Sequence, residues 1–230
     1  MSQSKPLFGR ESLAEQCADI IYQNIINMKP GYEPGSRLSG RSLAQEFGIS
    51  ETPLKLAFKL LENQGVLSVL PRKGTFVSEL SEKDVQELLT VRSGMEGLAV
   101  TLAEGIFTQE DLLQLEESLA QCELALTTDE TERYRDNDEK FHRLIVNIAH
   151  NQRLNRLYAD LITSEQIIQV YTPRSEEAKR QSTQGHRVLL EQFHTSDVTI
   201  ILDALQKHWK NSARRVLEGY KKYIHNNTNS

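Results

Sequence analysis

Cysteine, glycine and proline are all scarce in this chain. Of 230 residues only two are cysteines, Cys17 and Cys122. They form no CxxC pair and no disulfide framework, which argues against a disulfide-built extracellular scaffold and for a reducing, cytoplasmic setting. Twelve glycines and six prolines leave little turn material for a β-sandwich, so a helix-rich fold is favoured. No apolar run approaches the ~18 residues that a membrane span needs. The opening stretch, MSQSKPLFGRESLAEQ, lacks the apolar core of a secretion signal. What is present, 38% hydrophobic and 26% charged residues, describes a folded globular chain of one large or two modest domains.

The net charge of −5 is unevenly spread. Residues 1–78 carry nine Lys/Arg and seven Asp/Glu, whereas the remainder carries 18 and 25. A mildly basic head on an acidic body suggests two jobs for two domains. The excess of basic charge in the head is small, so the pattern of elements must decide what the head does.

Helical spacing of Leu13, Cys17, Ile20, Ile21, Ile25 and Met28 predicts a first helix over residues 12–29. A short helix follows at 42–47, then a tight break at Gly48-Ile49-Ser50. A third helix spans 51–64, with Ser50 as N-cap, Pro53 in its first turn, and Leu54, Ala57 and Leu61 facing inward. Residues 66–70 and 75–77 read as strands around the turn signal Pro71-Arg72-Lys73-Gly74. Three helices and a hairpin in that order describe a winged helix-turn-helix over residues 8–78. A short link, 79–81, leads to an all-helical body over 82–224, with helices at about 82–104, 109–126, 130–149, 152–171, 174–194 and 197–223. Leu88, Leu89, Val91, Met95, Ala99 and Leu102 mark the first stripe of that body. Ser81 with Asp84, Thr108, Ser196 and Asp197 are its candidate caps, and residues 225–230 form a frayed polar tail. The fold class is therefore mainly α, a winged helix-turn-helix joined to a helical bundle.

A helix entering the major groove must present short polar and basic groups from its first turns. Ser50, Glu51, Thr52 and Lys55 hold those positions. Arg41 can grip a phosphate, and Arg72, Lys73 and Gly74 form the tip of the wing. Each charge taken singly also suits an ordinary solvated surface; the arrangement of all of them favours DNA.

All six histidines lie in the body. Asp138 and His142, four residues apart, share a helix face beside Phe141, Leu144 and Ile145. His186 and His208 lie on the apolar stripes of two other helices. Such groups are either hydrogen-bonded core residues and an ion pair, or ligands of a borderline divalent ion such as Zn²⁺ or Ni²⁺. For His150, His194 and His225, exposure or capping is the plain reading.

The stretch LSGRSLAQEFGISETPLK (38–55), the run LLENQGVL (60–67) and the wing RKGTFV (72–77) resemble the signature of bacterial GntR-type transcription regulators of the FadR subfamily. The body is similar to that subfamily's all-helical FCD ligand-binding domain. Its D-x-x-F-H landmark is matched at Asp138 to His142, and Gly185-His186 and Lys207-His208-Trp209 match the other two. The resemblance implies that Asp138, His142, His186 and His208 bind one divalent metal. It further implies a small organic-acid effector beside the metal, with Arg92 at the effector-contacting position. Relative to the family, Glu51 and Lys55 stand where arginines are usual, Leu56 replaces an acidic residue and Gly40 a glutamate. An altered operator preference or a low affinity is the expectation.

The leading functional reading is a homodimeric, ligand-responsive transcription factor on palindromic operator DNA, with no membrane partner and no catalytic role. One alternative is a metal-dependent hydrolase in which the ion activates water, although no carboxylate or nucleophile is placed as a base. The other is a regulator whose metal is purely structural.

Overall fold

Helical periodicity becomes helix along most of the chain. The computed structural model describes residues 12–164, 166–173 and 175–228. In order these form α1 (Leu13–Ile26), β1 (Arg37–Leu38), α2 (Gly40–Phe47), α3 (Glu51–Asn63), β2 (Leu67–Leu70), β3 (Gly74–Val77), α4 (Glu82–Leu102), α5 (Gln109–Thr127), α6 (Thr131–Asn147), α7 (Gln152–Ser164), a 3-10 helix (Gln166–Val170), α8 (Glu176–Phe193) and α9 (Val198–Thr228).

Side-chain caps fix where most helices begin. Reciprocal capping boxes open α1 (Ser12 with Glu15), α4 (Ser81 with Asp84) and α5 (Thr108 with Asp111). Each satisfies two amides that a helix start leaves open. Ser39 caps α2, which therefore starts two residues ahead of the predicted Ser42. Asp197 caps α9 by accepting from the Thr199 and Ile200 amides, while Ser196 just before it takes a positive φ of 55°. Ser50 departs from expectation. It holds the N-cap position of α3, but its side chain makes no capping bond. Pro53, at the third helical position, has no N–H to offer it.

Two compact units result. The described residues through Glu79 group with Thr163–Val170; Leu80–Ile162 and the described residues from Tyr171 onward form the other. In the first, α1 packs on α3 around Ile21, Ile25, Leu54, Ala57 and Leu61, all fully buried. The predicted hairpin is part of a three-stranded antiparallel sheet of order β1-β3-β2, with Leu38 opposite Thr75 and Leu70 opposite Gly74. A two-residue strand such as β1 has no period to read. At the wing tip the Lys73 amide donates to the Leu70 carbonyl, and Arg72 takes a left-handed φ of 63°. This is a tight turn with proline at its second position and a positive φ at its third.

The helix expected over 152–171 ends at Ser164, and the chain tightens into the 3-10 helix, which packs on α1. Ile167 and Ile168 are buried there, and the Tyr22 hydroxyl donates to Gln166 Oε1 at 2.7 Å.

In the second unit α4 lies along α9 and α6, α5 lies along α6 and α8, and α8 lies along α9. Leu115, Phe141, Ile145, Tyr158, Leu189, Phe193 and Leu205 are among the fully buried members of its core. The buried face of α4 is Val85, Leu89, Glu96, Ala99 and Val100. Val91 and Leu102, assigned to that face from sequence, are 50% and 42% exposed. Leu89 and Ala99 are buried as expected, and Met95 packs against the cluster that contains Ala99; the difference is Glu96, which an apolar template does not accept. Helix α9 runs on to Thr228 and takes in residues expected to form the tail. Residues 8–11, Glu165, Arg174, Asn229 and Ser230, which the sequence places in the head, the helix over 152–171, α8 and the tail, lie outside the described residues. Among the described residues no helix is long and apolar enough to cross a membrane.

Gly219 sits inside α9, where glycine ordinarily costs a helix ~1 kcal/mol relative to alanine. A Cβ there would meet the Tyr171 carbonyl oxygen at 2.3 Å. Gly219→Ala is therefore expected to lower the melting temperature despite its better helix propensity. A thermal melt in which the variant is as stable as the parent, or more so, would contradict this close approach.

Candidate metal centre and nucleic-acid interface

His142 on α6, His186 on α8 and His208 on α9 point into the core of the second unit, and all three are buried. Each offers a ring nitrogen, and these nitrogens lie within 4.8 Å of one another. His142 Nε2 and His186 Nε2 are 3.1 Å apart. The Phe141 ring stacks on His186 with centroids 4.6 Å apart, and this holds the imidazole upright in the core. Burial pushes the His186 and His208 pKa values well down, with the neighbouring histidines and Arg215 adding to it. Both rings are neutral near pH 7 and carry a free lone pair, as a metal ligand must.

Asp138, one turn before His142, lies a step outward. Its Oδ1 is 3.6 Å from His186 Nδ1 and accepts from the Tyr134 and Ser182 hydroxyls, each at 3.3 Å. It is outside the cluster of three histidines. The remaining histidines stay at the surface: His150 faces Asp111 at 3.6 Å, His194 faces Glu116 at 3.3 Å, and His225 is exposed on α9.

Sequence reasoning missed the group at the centre of this region. Glu96 on α4 is fully inaccessible. Its Oε1 accepts from the Tyr158 hydroxyl at 2.6 Å, and its Oε2 accepts from Trp209 Nε1 at 2.8 Å and faces His142 Nδ1 at 3.0 Å. Arg92, one turn earlier, approaches Oε1 at 3.6 Å and donates from Nε to the Tyr158 hydroxyl at 3.0 Å. Its guanidinium lies over the Trp209 ring, 5.2 Å from the centroid. Burial alone would raise the Glu96 pKa; His142, Arg92 and Tyr158 outweigh it and hold the carboxyl below its ordinary value. Burial likewise disfavours the Arg92 cation, but the Tyr158 and Glu96 oxygens more than offset it. The i,i+4 spacing of Arg92 and Glu96 between Leu89 and Val100 was the available signal.

The fit of a cation can be judged from unsatisfied atoms. His208 Nε2 is buried without a hydrogen-bond partner, although buried polar nitrogens are normally paired, and His142 Nε2 and His186 Nε2 face each other directly. Two ligands about 2.0–2.1 Å from one ion stand roughly 3–3.4 Å apart, which is the spacing of His142 and His186. The residues present suit a metal ion. An open cleft of about 490 Å³ between α8 and α9 leads from solvent to His208, with Gly185 and Lys207 on its walls. A Cβ at residue 185 would sit 3.2 Å from His208 Nδ1, so glycine keeps that ring uncrowded.

In the first unit Arg41, Ser50, Glu51, Thr52, Lys55, Arg72 and Lys73 are all exposed, and Gly74 is half-buried. The burial of Leu54, Ala57 and Leu61 turns the opposite face of α3 outward, placing Thr52 and Leu56 on it with Lys59. Leu56 is 58% exposed. At the wing, Gly74 has a φ of 116°, and a Cβ there would meet Arg37 Nε at 2.9 Å. The arginine of β1 thus lies directly over the turn that carries Arg72 and Lys73.

Residues 87–211 match the FCD domain, and residues 13–77 match the bacterial regulatory proteins of the gntR family. HTH-type transcriptional regulator YdhC of Bacillus subtilis is 38% identical over 128 residues, 55% of this chain and 57% of that protein. HTH-type transcriptional repressor RspR of Escherichia coli is 28% identical over 152 residues, 66% of each chain. The matched stretches thus span only about half to two thirds of these relatives' length. The solved structure of E. coli McbR/YncC shares the fold, with a TM-score of 0.69 at 22% identity over 93% of this chain and all of that one. A winged head whose α1–β3 lie inside one match, and a histidine-bearing bundle whose core lies inside the other, place the chain in the gntR family of bacterial regulatory proteins, among those that carry an FCD domain.

Proposed function

We propose that the chain is a DNA-binding transcription regulator that reads a palindromic operator as a cytoplasmic homodimer and is controlled through its helical unit. The observation that carries this reading is the pairing, in one chain, of an exposed recognition helix and cationic wing with a buried triad of histidines. The relatives support it by name: one is a transcriptional regulator and the other a transcriptional repressor. They favour regulation over the hydrolase alternative, and the second suggests repression.

In this reading one divalent ion per chain, Zn²⁺ or Ni²⁺, is held by His142, His186 and His208, with Asp138 as a fourth ligand that must first turn in from its place beside His186 Nδ1. Imidazole and carboxylate donors suit such borderline ions better than Ca²⁺ or Mg²⁺. When bound, the ion supplies a fixed positive centre for the oxygen of a small carboxylate effector. Arg92 binds the same effector. Its Nε is engaged by Tyr158, and its two terminal amino groups remain to pair carboxylate oxygens. Control requires the effector to favour one arrangement of the DNA-binding heads, since equal affinity for both shifts nothing. In the head, Arg41, Arg72 and Lys73 supply sequence-independent phosphate contacts around the Gly74 turn. Ser50, Glu51, Thr52 and Lys55 reach base edges, with Glu51 able to accept from a cytosine amino group.

Replacing Arg72 and Lys73 by alanine is expected to weaken binding to all duplex sequences and to reduce the slope of log K against log[salt] by about 2. Glu51→Arg and Lys55→Ala are expected to change which operator a selection recovers. An unchanged salt slope, or the same operator from both variants, would count against the head assignment.

For the ion, His186→Ala and His208→Ala are each expected to lower metal content and melting temperature together, measured by elemental analysis and calorimetry. A His142/His186/His208 triple variant that still carries a full complement of metal would remove the assignment. Gel shifts with and without chelator test control: effector response is expected to vanish when metal is stripped, and its survival would make the ion purely structural.

A further inference from the structure

Around Glu96 the side chains of four helices converge, and each presents a donor. Trp209 Nε1 and the Arg92 guanidinium carry only N–H groups and cannot accept. The Tyr158 hydroxyl accepts from Arg92 Nε, which directs its own proton to Glu96 Oε1. With both oxygens held in this way, the carboxylate has no room to turn away from His142, whose Nδ1 stands 3.0 Å from Oε2. A lone pair on Nδ1 would oppose a carboxylate lone pair in a fully buried space. A proton on Nδ1 converts the same contact into a charge-assisted hydrogen bond.

We propose that Glu96 is a positioning residue of the metal centre: its Oε2 holds His142 as the tautomer protonated on Nδ1, which leaves Nε2 as the atom that meets the ion. The proposal rests on the reading of His142, His186 and His208 as the metal set. Nε2 is the nitrogen that lies 3.1 Å from His186 Nε2, on the side where the three rings converge. Without an acceptor at Nδ1, His142 is free to place its proton on Nε2 and donate it to His186. That tautomer satisfies the pair by a hydrogen bond and withdraws His142 as a ligand. His186 has no comparable partner: its Nδ1 is 3.6 Å from Asp138, beyond a hydrogen bond. Glu96 therefore fixes one ligand in advance, and the other two settle when the ion arrives. A carboxylate behind a ligating histidine orients the ring and raises its basicity, and losing it typically lowers metal affinity roughly 10–100-fold.

The test is long-range ¹H–¹⁵N spectroscopy of the ¹⁵N-labelled full chain, metal-free and then titrated with zinc, beside zinc affinity from chelator competition. The metal-free wild type is expected to show His142 protonated on Nδ1 and bare on Nε2, and zinc is expected to shift the Nε2 resonance. In Glu96→Leu no acceptor faces Nδ1, so the proton is expected to move to Nε2 and zinc affinity to fall roughly 10–100-fold. Glu96→Gln, whose carbonyl oxygen can accept from both Trp209 Nε1 and His142 Nδ1, is instead expected to keep the wild-type tautomer. A wild-type spectrum with the proton on Nε2 overturns the proposal, and needs no variant to fold. So does a folded Glu96→Leu protein with the wild-type tautomer and affinity. A wild-type chain that takes up no zinc at all instead overturns the reading of the triad, and with it the metal role assigned to Glu96, whatever the spectrum shows.

Discussion

A carboxylate with no exposure, in the middle of a helical bundle, constrains everything packed around it. Bringing an ionised group out of water costs several kcal/mol even after the protein relaxes, and stripping such a charge of its partners costs roughly 3–5 kcal/mol. Glu96 is tolerated because α4 supplies Arg92, α6 supplies His142, α7 supplies Tyr158 and α9 supplies Trp209. Each of those helices must sit at the depth and rotation that delivers its donor. Hydrophobic packing alone permits a helix to slide or turn by a fraction of a residue; a shared carboxylate does not. The aromatic rings of Tyr158 and Trp209 serve twice here, since their faces also receive the Arg92 cation.

The histidines add a second, opposite constraint. Three imidazoles grouped out of water cannot all be charged, and burial keeps His186 and His208 neutral. Neutral rings bring lone pairs that repel unless a proton or an ion lies between them. The region is thus built from one group that wants donors and three that want a cation. His142 belongs to both sets, touching Glu96 on one edge and His186 on the other.

Much of this was legible before any coordinates. The caps at Ser81, Thr108 and Asp197 and the inward faces of α3 and α6 follow from spacing alone, and the inward placing of His142, His186 and His208 follows from their apolar neighbours. Glu96 was not legible, because a search for apolar stripes discards a charged residue at the position where it matters most. With Glu96 set aside, Val91 and Leu102 complete the apolar stripe, yet both lie at the surface. Strand β1 was invisible because two residues carry no period. The break after Ser164 was missed because the 3-10 helix keeps the apolar content of an α-helix, and only its packing on α1 separates the two. Asp138 illustrates a different limit. Its i,i+4 relation to His142 is real, but shared helix face does not fix which way a short side chain turns, and this one turns to the outer edge of His186.

The 3-10 helix also bears on how the chain is made. Residues that complete the first unit are separated from the rest of it by more than eighty others, and the hydrogen bond from Tyr22 to Gln166 closes a loop of 144 residues. A nascent chain that has emitted only the winged segment still lacks Ile167 and Ile168, and the surface of α1 that they cover stays wet until most of the bundle has followed. Domains ordinarily fold in the order they leave the ribosome. In this molecule the amino-terminal one receives its last piece late, so a fragment cut at the apparent boundary near residue 79 is missing part of its own core.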